Sequence, residues 1–339
     1  MLFAAHWGSI ASGGGAGPRY VFGAIGSSPY IEAYQWGGAG WGTKYSNPAI
    51  LPTGAGSQVA VTYADDAVAL AHSTSPFVTA YPWTAAGFGT KYTNPTTAVL
   101  NTGAGIAFKP DDTAVVIGNR TTTVYVQAYA FSSASGFGSR FTQPTTTTNN
   151  STYDVDWQGN YIARSNSGTS NIEAFLWSSG WSTRSTFAEA NSVQPIKWMK
   201  GSTANVAYAP TASPFIKVVS FTTTFGSAYT NPGTLPTGNV YGISWAQSNT
   251  QIAMAHTNSP YVTGYPFSGS GFGTKYADPT TALPGNGKGI DIAGDVAVIG
   301  HSTSPFASAY GFTANGWGGK YADPAVLPTA QFEAVALGV

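Results

Sequence analysis

Six of the 14 basic residues recur at one position of a short motif, aromatic-Gly-Thr/Ser-basic-aromatic. They are Lys44, Lys91, Arg140, Arg184, Lys275 and Lys320, and the motifs begin at Trp41, Phe88, Phe137, Trp181, Phe272 and Trp317. A ring of cations flanked by aromatics could grip an acidic protein surface or a glycan. The same placement also suits edge protection, because lysine on an outermost strand discourages strand-to-strand aggregation. Pairs to Asp278 and Asp323 would add little on an exposed surface.

The carboxylates offer less. Asp65, Asp66, Asp111, Asp112 and Asp295 fall in turns, where the side chain bonds its own backbone. Asp154 and Asp156 share one strand face, and with Asp291 they could line a common channel. Glycoside hydrolysis needs two carboxylates about 5–10 Å apart in a cleft, and no further active-site constellation accompanies them in the sequence. His72, His256 and His301 occupy one repeated position, where other units carry Arg120, Ser167, Pro210 and Ile25. Separate units cannot easily converge on one ion, so the histidines read as turn-capping or inter-unit hydrogen-bonding groups, with no metal or cofactor expected. No Gly-rich loop opens a helix to hold phosphate.

The elements that carry these residues repeat. Degenerate motif copies at Trp181 (WSTRS) and Phe225 (FGSAY) complete a series of seven, spaced by 44 to 49 residues. A second motif precedes each copy, as in SPYIEAYQW from Ser28, SPFVTAYPW from Ser75 and SPYVTGYPF from Ser259. Each unit reads as four short strands; in the second these are Ser57–Thr62, Ala67–His72, Phe77–Trp83 and Phe88–Tyr92. In Phe77–Trp83 large side chains alternate with small ones, which suits sheets stacked face to face. The recurring Tyr30, Tyr34, Trp36, Phe77, Tyr81, Trp83, Tyr261, Tyr265 and Phe267 therefore read first as core between units. Sugar-stacking pockets are the functional alternative.

Seven four-stranded units of this length specify an all-β, seven-bladed β-propeller over residues 19–339. The first unit enters at Arg19–Ile25 without an inner strand, and Phe332–Leu337 is left over at the other end. The C-terminal strand is thus expected to close the ring; Leu2–Trp7 is the alternative inner strand. Residues 1–18 lie outside the repeat and read as an arm with apolar anchors Phe3, Trp7 and Ile10. Met1–Ile10 has a short apolar piece but no basic region before it, unlike a signal peptide.

Composition excludes several classes. Fourteen basic and 14 acidic residues cancel, and only 8% of the chain is charged, against about 25% in an ordinary soluble domain. No basic excess exists for nucleic acid, no apolar run is long enough to span a membrane as a helix, and cysteine is absent.

The repeat resembles WD40-like seven-bladed propellers, although it lacks the Trp-Asp dipeptide and the Gly-Gly signature of kelch blades. The wording AHSTSPFVTAYPW followed by GFGTKYTNP resembles propeller repeats among structural proteins of tailed bacteriophages. That resemblance implies a non-enzymatic binding module on a virion, decorating the capsid or attached to the tail, with other virion proteins as partners. The alternative expectation is a secreted or cell-surface lectin-like propeller that binds glycan.

Overall fold

The computed structural model describes residues 17, 19–120, 125–144, 150–168 and 171–339. Its 28 strands form seven four-stranded antiparallel sheets. Each sheet is one blade of a seven-bladed propeller. Six blades take their four strands consecutively from the chain; in blade 2 these are Gly56–Val61, Ala67–His72, Val78–Thr84 and Gly87–Phe88. Blade 1 is composite. Its inner strand is Phe332–Gly338, which pairs antiparallel with Tyr20–Ile25 from Tyr20↔Gly338 to Ile25↔Phe332. The C-terminal strand closes the ring, as the unpartnered Phe332–Leu337 implied. The anchors Phe3, Trp7 and Ile10 lie outside the described residues.

Packing between blades follows the large/small alternation. Tyr81 and Trp83 of blade 2 pack with Phe22, Ala24, Ile31 and Ala33 of blade 1. Val78 and Ala80, on the opposite face, join Phe108, Ile117 and Phe131 of blade 3. Trp83 is 2% exposed and meets Phe22, Tyr45 and Phe88 edge-on at 4.6, 4.8 and 5.0 Å between centroids. Such edge-to-face pairs are worth about 0.5–1.5 kcal/mol each beyond area burial. The repeated aromatics are therefore core. Phe77, expected to open the third strand, sits just before it instead: Tyr30, Phe77 and Tyr261 hold φ near +69°, +68° and +69° in the preceding turn.

The outer strand of blade 2 is shorter than Phe88–Tyr92, the sequence expectation. Blades 2 and 6 keep only Gly87–Phe88 and Gly271–Phe272, whereas blades 1, 3 and 7 have five-residue outer strands. The reason is in the third strand. Trp83 N donates inward to Asp66 O, so an N–H on residue 82 would face the outer strand. Pro82 has none, and Pro266 stands at the same place in blade 6.

Candidate active site

The inner strands of all seven blades surround the propeller axis and enclose a channel with a cavity of about 1410 Å³. Every inner strand carries a register shift near its start, in blade 4 between Thr152 and Asp154 and in blade 6 between Val240 and Gly242. The skipped residue leaves the ladder, which is how a β-bulge re-aims a side chain. In blades 2 and 3 that residue is Ser57 or Ala104. In blades 4, 5 and 6 it is Tyr153, Gln194 or Tyr241, and Lys288 and Glu333 follow in blades 7 and 1. These residues all line one mouth of the channel.

Three residues further along each strand, a second layer forms. Blades 4 to 7 contribute Asp156, Lys197, Ser244 and Asp291, while blades 1 to 3 contribute only Ala336, Ala60 and Ala107. The polar groups are tightly interconnected. Lys197 Nζ lies 3.7 Å from Asp154 Oδ2 and 3.8 Å from Asp156 Oδ1. Trp198 N donates to Asp156 Oδ2 at 2.7 Å. Gln58 Nε2 crosses from blade 2 to donate to Asp154 Oδ1 at 3.2 Å, and Ile196 N donates to Asp154 Oδ2 at 3.2 Å. Gly105 lets the inner strands of blades 3 and 4 approach closely: a Cβ there would lie 2.6 Å from Val155 N. On the other side, Ser244 Oγ donates to Asp291 Oδ1 at 2.9 Å, and Lys200 Nζ reaches the same oxygen at 3.1 Å.

These contacts set the charge states. Burial in the channel wall pushes the Asp156 carboxyl above the usual carboxylate range, Asp154 adds to that, and Lys197 and the Trp198 N–H pull against it. Burial works against the Lys197 ammonium too, but Asp154, Asp156 and Asp291 together outweigh it and raise its pKa above that of an ordinary lysine. A carboxylate of raised pKa beside a firmly protonated cation can act as a general base next to an electrostatic stabiliser. Asp154, Asp156 and Asp291 were visible as a possible channel set in the sequence. Lys197, Lys200 and Ser244 were missed, and the available signal was the pair of degenerate motif copies at Trp181 and Phe225, which mark blades 4 and 5; both lysines stand in blade 5.

The six motif cations are placed differently from one another. Lys44 turns inward to Glu32 Oε1 at 2.5 Å, with Glu32 fully buried. Arg184 pairs with Glu173 Oε1 at 2.8 Å, beside the fully buried Arg164, which bonds the same carboxylate. Lys91 donates to Asn94 Oδ1 at 2.5 Å, Lys275 pairs with Asp278, and Lys320 pairs with Asp323 at 2.5 Å. Arg140 lies near enough to Tyr129 to oppose the rise of its hydroxyl pKa. His72, His256 and His301 are buried and bond Thr79, Thr263 and Ser308 at 2.9, 2.9 and 3.0 Å. The pairing register puts Asn119 and Asn166, rather than Arg120 and Ser167, at their position in blades 3 and 4. Among the described residues no group of three or more His, Asp or Glu is placed to hold a metal ion, and no helix is long and apolar enough to cross a membrane.

The fold and its axial site define a seven-bladed β-propeller with WD40-like structural neighbours. No family model and no curated protein matches the sequence. Among solved structures, the chain is similar to the periplasmic gluconolactonase of Pseudomonas aeruginosa, with TM-score 0.72 and 9% identity over 94% of this chain and 99% of that one. A candidate 6-phosphogluconolactonase of Bacteroides fragilis gives TM-score 0.74 and 10% identity over 98% and 99%. The WD40 repeats of RRP9 give 0.61 and 9% over 85% and 82%. At such identities the likeness establishes the fold. These neighbours nevertheless overturn the expectation of a non-enzymatic virion module: two that span nearly the whole chain bear lactonase names.

Proposed function

We propose that this propeller is a hydrolase that opens a sugar lactone, or a cyclic ester of similar size, in its axial channel. The observation that carries the reading is the Asp156–Lys197 pair, a carboxylate of raised pKa 3.8 Å from a cation. The lactonase names of two structural neighbours supply the substrate class.

The chemistry needs only these groups. The Asp156 carboxylate takes a proton from water as the water oxygen adds to the lactone carbonyl carbon. The Lys197 ammonium faces the resulting oxyanion, where a pre-placed charge acts most strongly. Collapse breaks the ring C–O bond, and the proton held by Asp156 passes to the leaving ring oxygen. The product is an open hydroxy acid, whose carboxylate is repelled by Asp154, Asp156 and Asp291. Ser244 and Lys200 hold Asp291 in place on the opposite wall.

The test is hydrolysis of glucono-1,5-lactone above its spontaneous rate, followed by proton release. Asp156→Asn is expected to lower kcat by about 10²-fold or more, the range for removing a general base, and Lys197→Met by a comparable factor. No acceleration by the wild-type chain, or full activity in Asp156→Asn, overturns the proposal.

A further inference from the structure

The seven bulges form a mouth on which a repetitive scaffold displays non-repetitive side chains. The position after the first inner-strand residue reads Ser57, Ala104, Tyr153, Gln194, Tyr241, Lys288 and then Glu333 around the ring. Two tyrosines stand out. Tyr153 and Tyr241 sit in equivalent register on blades 4 and 6, with Gln194 between them, directly above the Asp156–Lys197–Ser244 layer. Each ring is backed by a cation: Arg120 lies 5.6 Å from the Tyr153 centroid and Lys288 5.2 Å from that of Tyr241. Lys288 is itself steadied by Glu333 at 3.6 Å. Tyr241 is 41% exposed, a cost that a core residue would not carry.

The other end of the channel is tied across. Tyr63 extends from the blade 2 turn to within 3.5 Å of Trp157 O, and the N–H groups of Tyr63 and Ala64 both donate to Asp112. Lys200 bridges from blade 5 to Asp291 of blade 7, and Asn249 Nδ2 donates to Lys200 O at 2.6 Å. The two ends therefore differ: one presents two tyrosines in equivalent register with an amide between them, while the other, where the 55% exposed Tyr63 stands, is tied across by hydrogen bonds.

We infer that the bulge ring is the entrance and selecting subsite of the channel, and that Tyr153 and Tyr241 hold a pyranose-like ring by stacking while Gln194 hydrogen-bonds its hydroxyls. Aromatic faces suit the C–H face of a sugar, and an amide supplies both donor and acceptor. The inference rests on the hydrolase reading only for the class of ring admitted. Motif aromatics elsewhere pack, buried or half-buried, between blades, so this mouth is distinct from the repeated aromatic core.

The experiment uses methyl β-glucopyranoside, an unreactive pyranose, in saturation-transfer NMR, with lactone kinetics in parallel. The wild type should transfer saturation to the sugar ring. Tyr153→Ala and Tyr241→Ala should each weaken binding about tenfold, Tyr153→Phe should retain it, and Tyr63→Ala at the far end should change it less than threefold. In the lactone assay the two alanine variants should raise KM about tenfold with kcat changed less than threefold. Sugar binding that depends on both tyrosines without any lactone hydrolysis keeps the mouth and removes the hydrolase. Hydrolysis with a KM indifferent to both tyrosines removes the mouth and keeps the hydrolase. Absence of sugar binding, or its loss only in Tyr63→Ala, also overturns the inference.

Discussion

The channel has two unlike arcs. On blades 4 to 7 the layer below the mouth holds Asp156, Lys197, Ser244 and Asp291; on blades 1 to 3 it holds Ala336, Ala60 and Ala107. The backbone register is the same on both sides, so the scaffold treats the blades alike and the side chains do not. A ring built by repetition needs each blade to fill its neighbour, which fixes the faces of the strands, but nothing in that packing dictates the few side chains at the axis. That freedom is where a site can be placed without disturbing the fold. Blades 4 and 5, which carry four of the five charged groups in the cluster, are also those whose outer motif has drifted furthest.

The largest expected effect falls on the alanine arc as a structural element. Deleting residues 330–339 removes the inner strand of blade 1, leaves the Tyr20–Ile25 edge unpaired and opens the ring beside the axis. Soluble, cooperative folding should be lost. A truncated chain with an unchanged melting temperature would break the closure on which the comparison of arcs depends.

Lys44 and Lys275 sharpen a second contrast, because one motif position does different work in different blades. Lys44→Ala leaves Glu32 buried without its cation and should cost about 3–5 kcal/mol. Lys275→Ala removes a pair to the exposed Asp278 and should cost at most about 1 kcal/mol. Urea unfolding measures both, and equal losses would show that the inward and outward pairs are equivalent.

Acid should act on the regular blades evenly. Burial holds His72, His256 and His301 down to about 4, against an ordinary value of 6.5. The unfolded chain therefore binds protons that the folded chain refuses as pH falls from 6.5 to 4. The stability is fully present above pH 6.5 and is lost on descending through that window. Replacing all three by Asn, the residue already found at this position in blades 3 and 4, should flatten the slope of melting temperature against pH. An unchanged slope would place the acid sensitivity elsewhere.

Much of the frame was legible in the sequence because packing repeats. Seven motif copies, the alternation in Phe77–Trp83 and the leftover Phe332–Leu337 each follow from a face or edge that must be filled. The short outer strands of blades 2 and 6 were also legible, since Pro82 and Pro266 lack the donor the ladder needs, yet the motif spacing drew attention past them. The channel was harder to see. Asp154, Asp156 and Asp291 stood out as carboxylates on strands, but Lys197 and Lys200 look like any two lysines until the register sets Lys197 beside Asp156 and Lys200 beside Asp291. A β-bulge leaves no mark of its own, so nothing in the sequence sets Tyr153 and Tyr241 apart from other strand residues. Reading for repetition finds the scaffold, and the functional arc lies where repetition fails.

One pair of variants tests the difference between the arcs most directly. Asp156 and Ala60 hold the same layer in the two different arcs of the channel. Measured as kcat/KM for glucono-1,5-lactone, Asp156→Asn should lose about 10²-fold or more while Ala60→Ser changes less than threefold. Equal losses in the two variants, or no loss in Asp156→Asn, would contradict the account.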